Sequence, residues 1–188
     1  FMQIRCALVG MPGSGKSTVG RHLAQRLGVP FIDLDHQLEQ VLKTSIRQFF
    51  EAEGEARFRD IGAQGLAEVT ARPGGMVLST GGGDVLRPEN RQVLRDFGNV
   101  LYLRASPEEI FKRVKHDRTR PLLQVNNPLQ KLRELYAQRD ALYREAATYV
   151  IETGRPTVQT LVNMIMMQLE MAPPPAAPAS PSEALSKQ

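Results

Sequence analysis

The sequence has a single cysteine, Cys6, in 188 residues. This excludes a disulfide framework and makes a reducing cytoplasm the expected compartment. Cys6 sits in an apolar stretch with no evident partner for nucleophilic chemistry, so it reads as a buried structural thiol. No apolar run approaches the roughly 18 to 20 residues that span a bilayer, and no charged segment leading into an apolar one opens the chain. Neither membrane insertion nor export is therefore expected. Net charge is only +4, with Arg spread along the chain instead of gathered in one basic arm, which argues against nucleic acid as the partner. No internal repeat is visible, excluding solenoids and propellers. The Asn-Lys-x-Asp run that reads guanine in switch GTPases is also missing.

A hydrophobic share of 41% against 23% charged residues suits a globular domain, and a chain of this length can bury a core without staples. Residues 3–9 read as a buried strand entering a glycine-rich turn. A helix follows from Lys16 to about Leu27 and stops at Gly28. Four further apolar runs, 31–34, 76–80, 100–103 and 149–151, read as strands separated by helical segments. Such alternation predicts an α/β fold in which helices cover both faces of a parallel sheet. Capping-box spacing of Ser45 with Gln48 and of Ser106 with Glu109, and Pro107 at a first helical position, supports the helix starts. The domain is expected over residues 2–171. From 172 to 188 the composition turns to Pro, Ala and Ser, too poor in large apolar groups to offset ordering entropy, so a disordered tail is expected.

The decisive motif is Gly-Met-Pro-Gly-Ser-Gly-Lys-Ser at 10–17, a phosphate-binding loop lying where it must, between a strand and a helix. Its glycines let backbone N–H groups turn towards phosphates, and the helix N-terminus adds its positive end. Lys16 reaches the outer phosphates, and Ser17 offers a hydroxyl to Mg²⁺. The loop fixes a nucleotide but no reaction. Asp33 and Asp35 are expected on one face of the second strand at the ligand-binding sheet edge. There they could hold Mg²⁺ through water and take a proton from an attacking hydroxyl, or Asp35 could merely cap a helix. Gly81, Gly82 and Gly83 follow the third strand and are either a close-approach ligand surface or a plain tight turn. The basic run 112–120 is either a solvated face or a segment closing over ATP, and Arg139 is either an exposed helix residue or a carboxylate clamp.

Taken together, the loop at 10–17, Asp33-x-Asp35, Gly54-Glu-x-x-Phe-Arg59, the glycine triplet, Arg120-Pro-Leu-Leu and Arg139-x-x-Leu-Tyr143 resemble shikimate kinase in order and spacing over residues 3–170. The resemblance implies a three-layer P-loop kinase fold with a five-stranded parallel sheet and a mobile lid. It also implies a cytoplasmic monomer that phosphorylates the 3-hydroxyl of shikimate with ATP and one Mg²⁺ ion, in aromatic amino-acid biosynthesis. By the same resemblance ATP meets Gly13, Ser14, Gly15, Lys16, Ser17, Thr18, Arg120 and Arg155. Ser17 and Asp33 serve the metal, and Asp35, Lys16 and Arg120 are catalytic. Asp35, Arg59, Gly81, Gly82, Gly83 and Arg139 bind shikimate, and Arg113 packs near adenine with Arg155.

Two positions depart from the family pattern. Gly62 stands where the pattern has Glu, and Asp60 is off the helical face that Glu would use. Substrate binding is therefore expected to be weaker, or Arg59 differently supported, with Gly62→Glu lowering the Michaelis constant. Ala141 stands for a frequent Pro and suits a helix. Other readings are a gluconate or nucleotide kinase of the same architecture, a nucleotide-binding regulator without catalysis, and a nucleic-acid binder.

Overall fold

Four consecutive residues with no exposed surface, Cys6, Ala7, Leu8 and Val9, require a strand covered on both faces. They form most of β1 (Arg5–Val9), the centre of a five-stranded sheet in the computed structural model, which describes residues 4–117, 125–154 and 156–171. Arg120, Arg155 and the 172–188 segment lie outside the described residues. The chain continues through α1 (Lys16–Leu27), β2 (Phe31–Asp33), α2 (Leu34–Leu42), α3 (Ile46–Glu53), α4 (Glu55–Ala71) and β3 (Met76–Ser79). A 3₁₀ turn (Asp84–Leu86) then precedes α5 (Pro88–Phe97), β4 (Asn99–Arg104), α6 (Pro107–Val114), α7 (Pro128–Ala146), β5 (Tyr149–Glu152) and α8 (Val158–Met171).

All strand pairs are parallel, in the order β2-β3-β1-β4-β5. Alternation along β1 divides the core into two layers. Cys6 and Leu8 join Val19 and Leu23 of α1 and Leu161 and Ile165 of α8. Ala7 and Val9 face the opposite way, into a cluster with residues of α2, α4, α5, α6 and α7. The expected three-layer α/β sandwich is thus observed. The chain leaves β1 towards β2 on one side and later crosses to β4 on the other. The carboxyl end of β1 is therefore a topological switch point, where ligands of such sheets bind.

Local chemistry sets the helix ends. Gly28 closes α1 in the left-handed conformation, φ 67°, donating its N–H back to the last turn. Ser106 and Glu109 form a complete capping box with Pro107 in the first turn of α6. At α3 only half the box forms. Ser45 accepts from the Gln48 N–H, but the Gln48 side-chain oxygen is taken by the Thr44 hydroxyl at 2.8 Å, and Glu39 accepts the Ile46 N–H.

The second strand differs from the expectation. It ends at Asp33, and Leu34 already belongs to α2. The reason is Asp33 itself, which caps α2 by accepting the His36 N–H at 3.2 Å. Asp33 and Asp35 therefore do not share one face of an extended segment. Asp33 is the cap and Asp35 lies in the first turn of the helix it starts.

Candidate active site

The loop after β1 turns on Gly13 and Gly15, whose φ angles of 82° and 95° L side chains rarely adopt. Gly15 is also the N-cap of α1, which aims the positive end of that helix at the loop. The Lys16 ammonium is folded back on the loop, donating to the carbonyls of Gly10 at 2.8 Å and Met11 at 2.9 Å. Ser17 Oγ donates to Asp33 Oδ2 at 2.7 Å, so Asp33 joins the phosphate loop with one oxygen and caps α2 with the other. Gly13, Gly15, Lys16, Ser17 and Thr18 line a recess of about 280 Å³ with Asp33 and Asp35. The Ser14 hydroxyl is buried without a partner among the described residues.

A second, larger cleft of about 1060 Å³ adjoins the first. Arg59 and Arg139 line it, together with Phe58, Glu55 and Gly81, Gly82 and Gly83. The two recesses share Pro12, Asp33, Asp35, Gly81 and Gly82, so Asp35 stands at their junction. Burial, then the neighbouring Asp33, push the Asp35 carboxyl above its ordinary value, against the opposing charges of Lys16 and Arg59. Such a group can accept a hydroxyl proton more readily than an ordinary aspartate. Arg139 is 9% exposed, and the Nε atoms of Arg139 and Arg59 are buried without hydrogen-bond partners among the described residues. Arg59 makes a loose ion pair with Glu55, 3.6 Å away, and its guanidinium lies over the Phe58 ring at 5.3 Å. Two guanidinium groups with unused donor capacity, turned into one cleft, suit a carboxylate ligand.

Each glycine after β3 is small for a different reason. A Cβ on Gly81 would lie 2.7 Å from Asp35 Oδ1, one on Gly82 would lie 2.7 Å from Pro12 Cδ, and one on Gly83 would overlap the Arg59 guanidinium. None of the three has a positive φ. The triplet is a tight turn, closed by the Asp84 N–H on the Gly81 carbonyl at 3.2 Å, and it is also a strap against which the carboxylate, the phosphate loop and the clamp all pack. Tyr143 ties the strap to α7, donating its hydroxyl to the Gly82 carbonyl at 2.6 Å.

Other expected residues are placed less directly. Arg113 bridges the Ser14 carbonyl of the loop, at 3.2 Å, and the Thr153 carbonyl beyond β5, at 2.6 Å. Asp60 pairs with Arg87 at 2.7 Å on the outer side of α4 and does not face the cleft. Arg120 and Arg155 cannot be set against the site. Sequence reasoning missed Asp84, a carboxylate only 4% exposed directly behind the glycine strap, and gave no role to Tyr143. The signal for Asp84 was an acid immediately after the triplet.

The sequence profile of one family, shikimate kinase, matches residues 12–170. The chain belongs to the shikimate kinase family. Its relatives include the shikimate kinase of Paracidovorax citrulli, 59% identical over 90% of this chain and 94% of that one. That of Ralstonia nicotianae is 54% identical over 96% and 95%. Among solved structures, a shikimate kinase from Acinetobacter baumannii in complex with shikimate superposes with a TM-score of 0.85 at 44% identity, covering 90% of this chain and 94% of that one. A gluconokinase from Sinorhizobium meliloti, at 18% identity and a TM-score of 0.61, shares the fold. Shikimate kinases are ATP-using enzymes that generally need a metal ion.

Proposed function

We propose that this chain transfers the terminal phosphate of ATP to the 3-hydroxyl of shikimate, giving shikimate 3-phosphate and ADP for aromatic amino-acid biosynthesis. The observation that carries this reading is Asp35 at the junction of the phosphate recess and the cleft holding Arg59 and Arg139. Arg59 and Arg139 grip the shikimate carboxylate and fix the ring, so that the hydroxyl to be phosphorylated faces Asp35. Asp35 accepts that proton as the oxygen attacks phosphorus. The Lys16 ammonium leaves the Gly10 and Met11 carbonyls for the phosphate oxygens, and the N–H groups of Gly13 to Thr18 hold the rest of the chain of phosphates. Arg120 and Arg155 complete the nucleotide side, as the resemblance implies.

The metal is Mg²⁺. Ser17 Oγ and Asp33 Oδ2 are hard oxygen donors 2.7 Å apart beside the phosphate recess. The described residues contain no group of three or more His, Cys, Asp or Glu that could cage an ion. A cation bound through few protein oxygens, water and phosphate is the pattern of Mg²⁺ and not of an all-protein site. When bound, the ion neutralises phosphate charge. The protein works as a cytoplasmic monomer with small-molecule partners only; no described helix is long and apolar enough to cross a membrane.

Purified protein given ATP and Mg²⁺ with shikimate, gluconate or nucleoside monophosphates in parallel tests the reading. ADP release with shikimate alone supports it, and equal or better turnover with another acceptor overturns it.

A further inference from the structure

Along α7, Lys131, Leu135 and Arg139 recur every four residues, the spacing of one helix face, and all three line the larger cleft. Eight residues of helix put Lys131 about 12 Å from Arg139 along the axis. Lys131 is exposed, whereas Leu135 and Arg139 are buried, so this face runs from an outer cation across an apolar step to the inner clamp. Local structure does not account for a cation at its outer end. Lys131 is the fourth residue of α7, near the positive end of the helix, which favours an acid, yet the first turn holds no acid. Among the described residues its ammonium pairs with no carboxylate. The acids of the opposite wall are engaged elsewhere: Glu51 pairs with Arg47 at 3.3 Å, Glu55 with Arg59 at 3.6 Å, and Glu39 accepts the Ile46 N–H at 3.1 Å. The cleft therefore keeps two cations on one helix for an anion from outside.

We propose that Lys131 is a further substrate-binding residue of the acceptor side, an outer cation that attracts the acceptor carboxylate into the cleft and towards Arg139. This rests on the reading of the cleft as the shikimate site. The attraction acts on encounter and retention of the acceptor and not on the chemical step, since Lys131 lies far from the junction at which Asp35 stands. It is also screened by salt. At about 0.01 M ionic strength the Debye length is about 30 Å, longer than the whole face, and at about 1 M it is about 3 Å.

The test is a charge series at position 131, read by steady-state ADP release at both ionic strengths. At low salt Lys131→Gln raises KM for shikimate about 1.5- to 5-fold, the range of an exposed charge pair, and Lys131→Glu raises it further. Lys131→Arg retains the parent value. In every variant kcat and KM for ATP stay within about twofold of the parent, and at high salt the differences in KM for shikimate disappear. Thermal melting is unchanged throughout, because Lys, Gln, Glu and Arg suit an exposed helix position alike. Equal KM for shikimate in the parent and Lys131→Glu at low salt overturns the proposal, as does a rise that persists at high salt or is matched in KM for ATP. In those cases shikimate turnover by the parent still upholds the reading of the cleft; a parent that does not turn over shikimate removes that reading, and the proposal falls with it.

Discussion

Alanine at each glycine of the strap separates three functions that a plain turn would lose together. The backbone tolerates alanine at all three positions, since none has a positive φ, so only the new Cβ contact matters. At Gly81 the methyl would sit 2.7 and 3.0 Å from the Asp35 oxygens, closer than unstrained packing permits, and Asp35 must move away from the junction of the two recesses. Displacing a general base costs about 10²- to 10⁴-fold in rate, so Gly81→Ala is expected to lower kcat about a hundredfold or more. At Gly83 the methyl takes the space of the Arg59 guanidinium, a flexible group that swings aside at little cost to folding. The lost charge-assisted bonds amount to about 1.5 to 3 kcal/mol, or roughly a 10- to 150-fold rise in KM for shikimate with kcat less affected. At Gly82 the obstruction is the Pro12 ring, 2.7 and 2.8 Å away, which is fixed in the loop. Overpacking there costs about 1 to 3 kcal/mol of stability and raises KM for ATP. Steady-state ADP release with each substrate varied, alongside thermal melting, distinguishes these outcomes. Three variants that lose the same parameter to the same degree would refute the account of the strap.

Three further outcomes follow from the geometry. Burial, then the nearby Asp35 charge, raise the Asp84 carboxyl from its ordinary 3.8 to about 7, despite the Gly81 amide, Arg59 and Lys16, while Tyr143 faces the same group from α7. Between those values the folded state keeps a proton that the unfolded chain has released, so stability falls as pH rises from about 4 to 7. Melting of ligand-free protein between pH 4 and 8 should show this slope and Asp84→Asn should flatten it; an unchanged slope contradicts the assignment. Gly62→Ala fills a helix position with its methyl 3.8 Å from Asp84, an ordinary contact, and is expected to stabilise by about 0.5 to 1 kcal/mol, raising the melting temperature by about 1 to 4 °C. A fall would mean that the site has no room. Tyr143→Phe removes the 2.6 Å bond to the Gly82 carbonyl and should cost about 1 to 3 kcal/mol of stability, read by denaturant unfolding; no change would make the bond incidental.

The elements that carry a strong local signal were legible in the sequence. β1, the phosphate loop and α1 follow from an apolar run, a glycine pattern and a helix stopped by Gly28, and all stand as expected to within two residues. The end of β2 was misread because an apolar residue, Leu34, continues the strand pattern, while the Asp33 cap that starts the helix acts through a single side-chain bond. Arg59 was recognisable only through resemblance, and Arg139 was otherwise no more than one of two alternatives, an exposed helix residue or a clamp. Nothing local distinguishes a clamp from a surface Arg, and it is the fold that brings α4 and α7 to one cleft. The glycine triplet was visible as a feature but not for its reason, which lies in three neighbours distant in sequence. Asp84 was illegible for the same cause: its burial beside Gly62 and behind the strap is made by tertiary packing and leaves no local mark.

The central claim is that Asp35 takes the proton from a hydroxyl of shikimate held by the two Arg clamps. Shikimate-dependent ADP release by the parent and by Asp35→Asn tests it most directly, with ATP-analogue binding measured on both. The account predicts turnover that requires shikimate and falls by about 10²- to 10⁴-fold in the variant, while nucleotide binding persists. Undiminished turnover in Asp35→Asn, or none in a parent that still binds nucleotide, would contradict it.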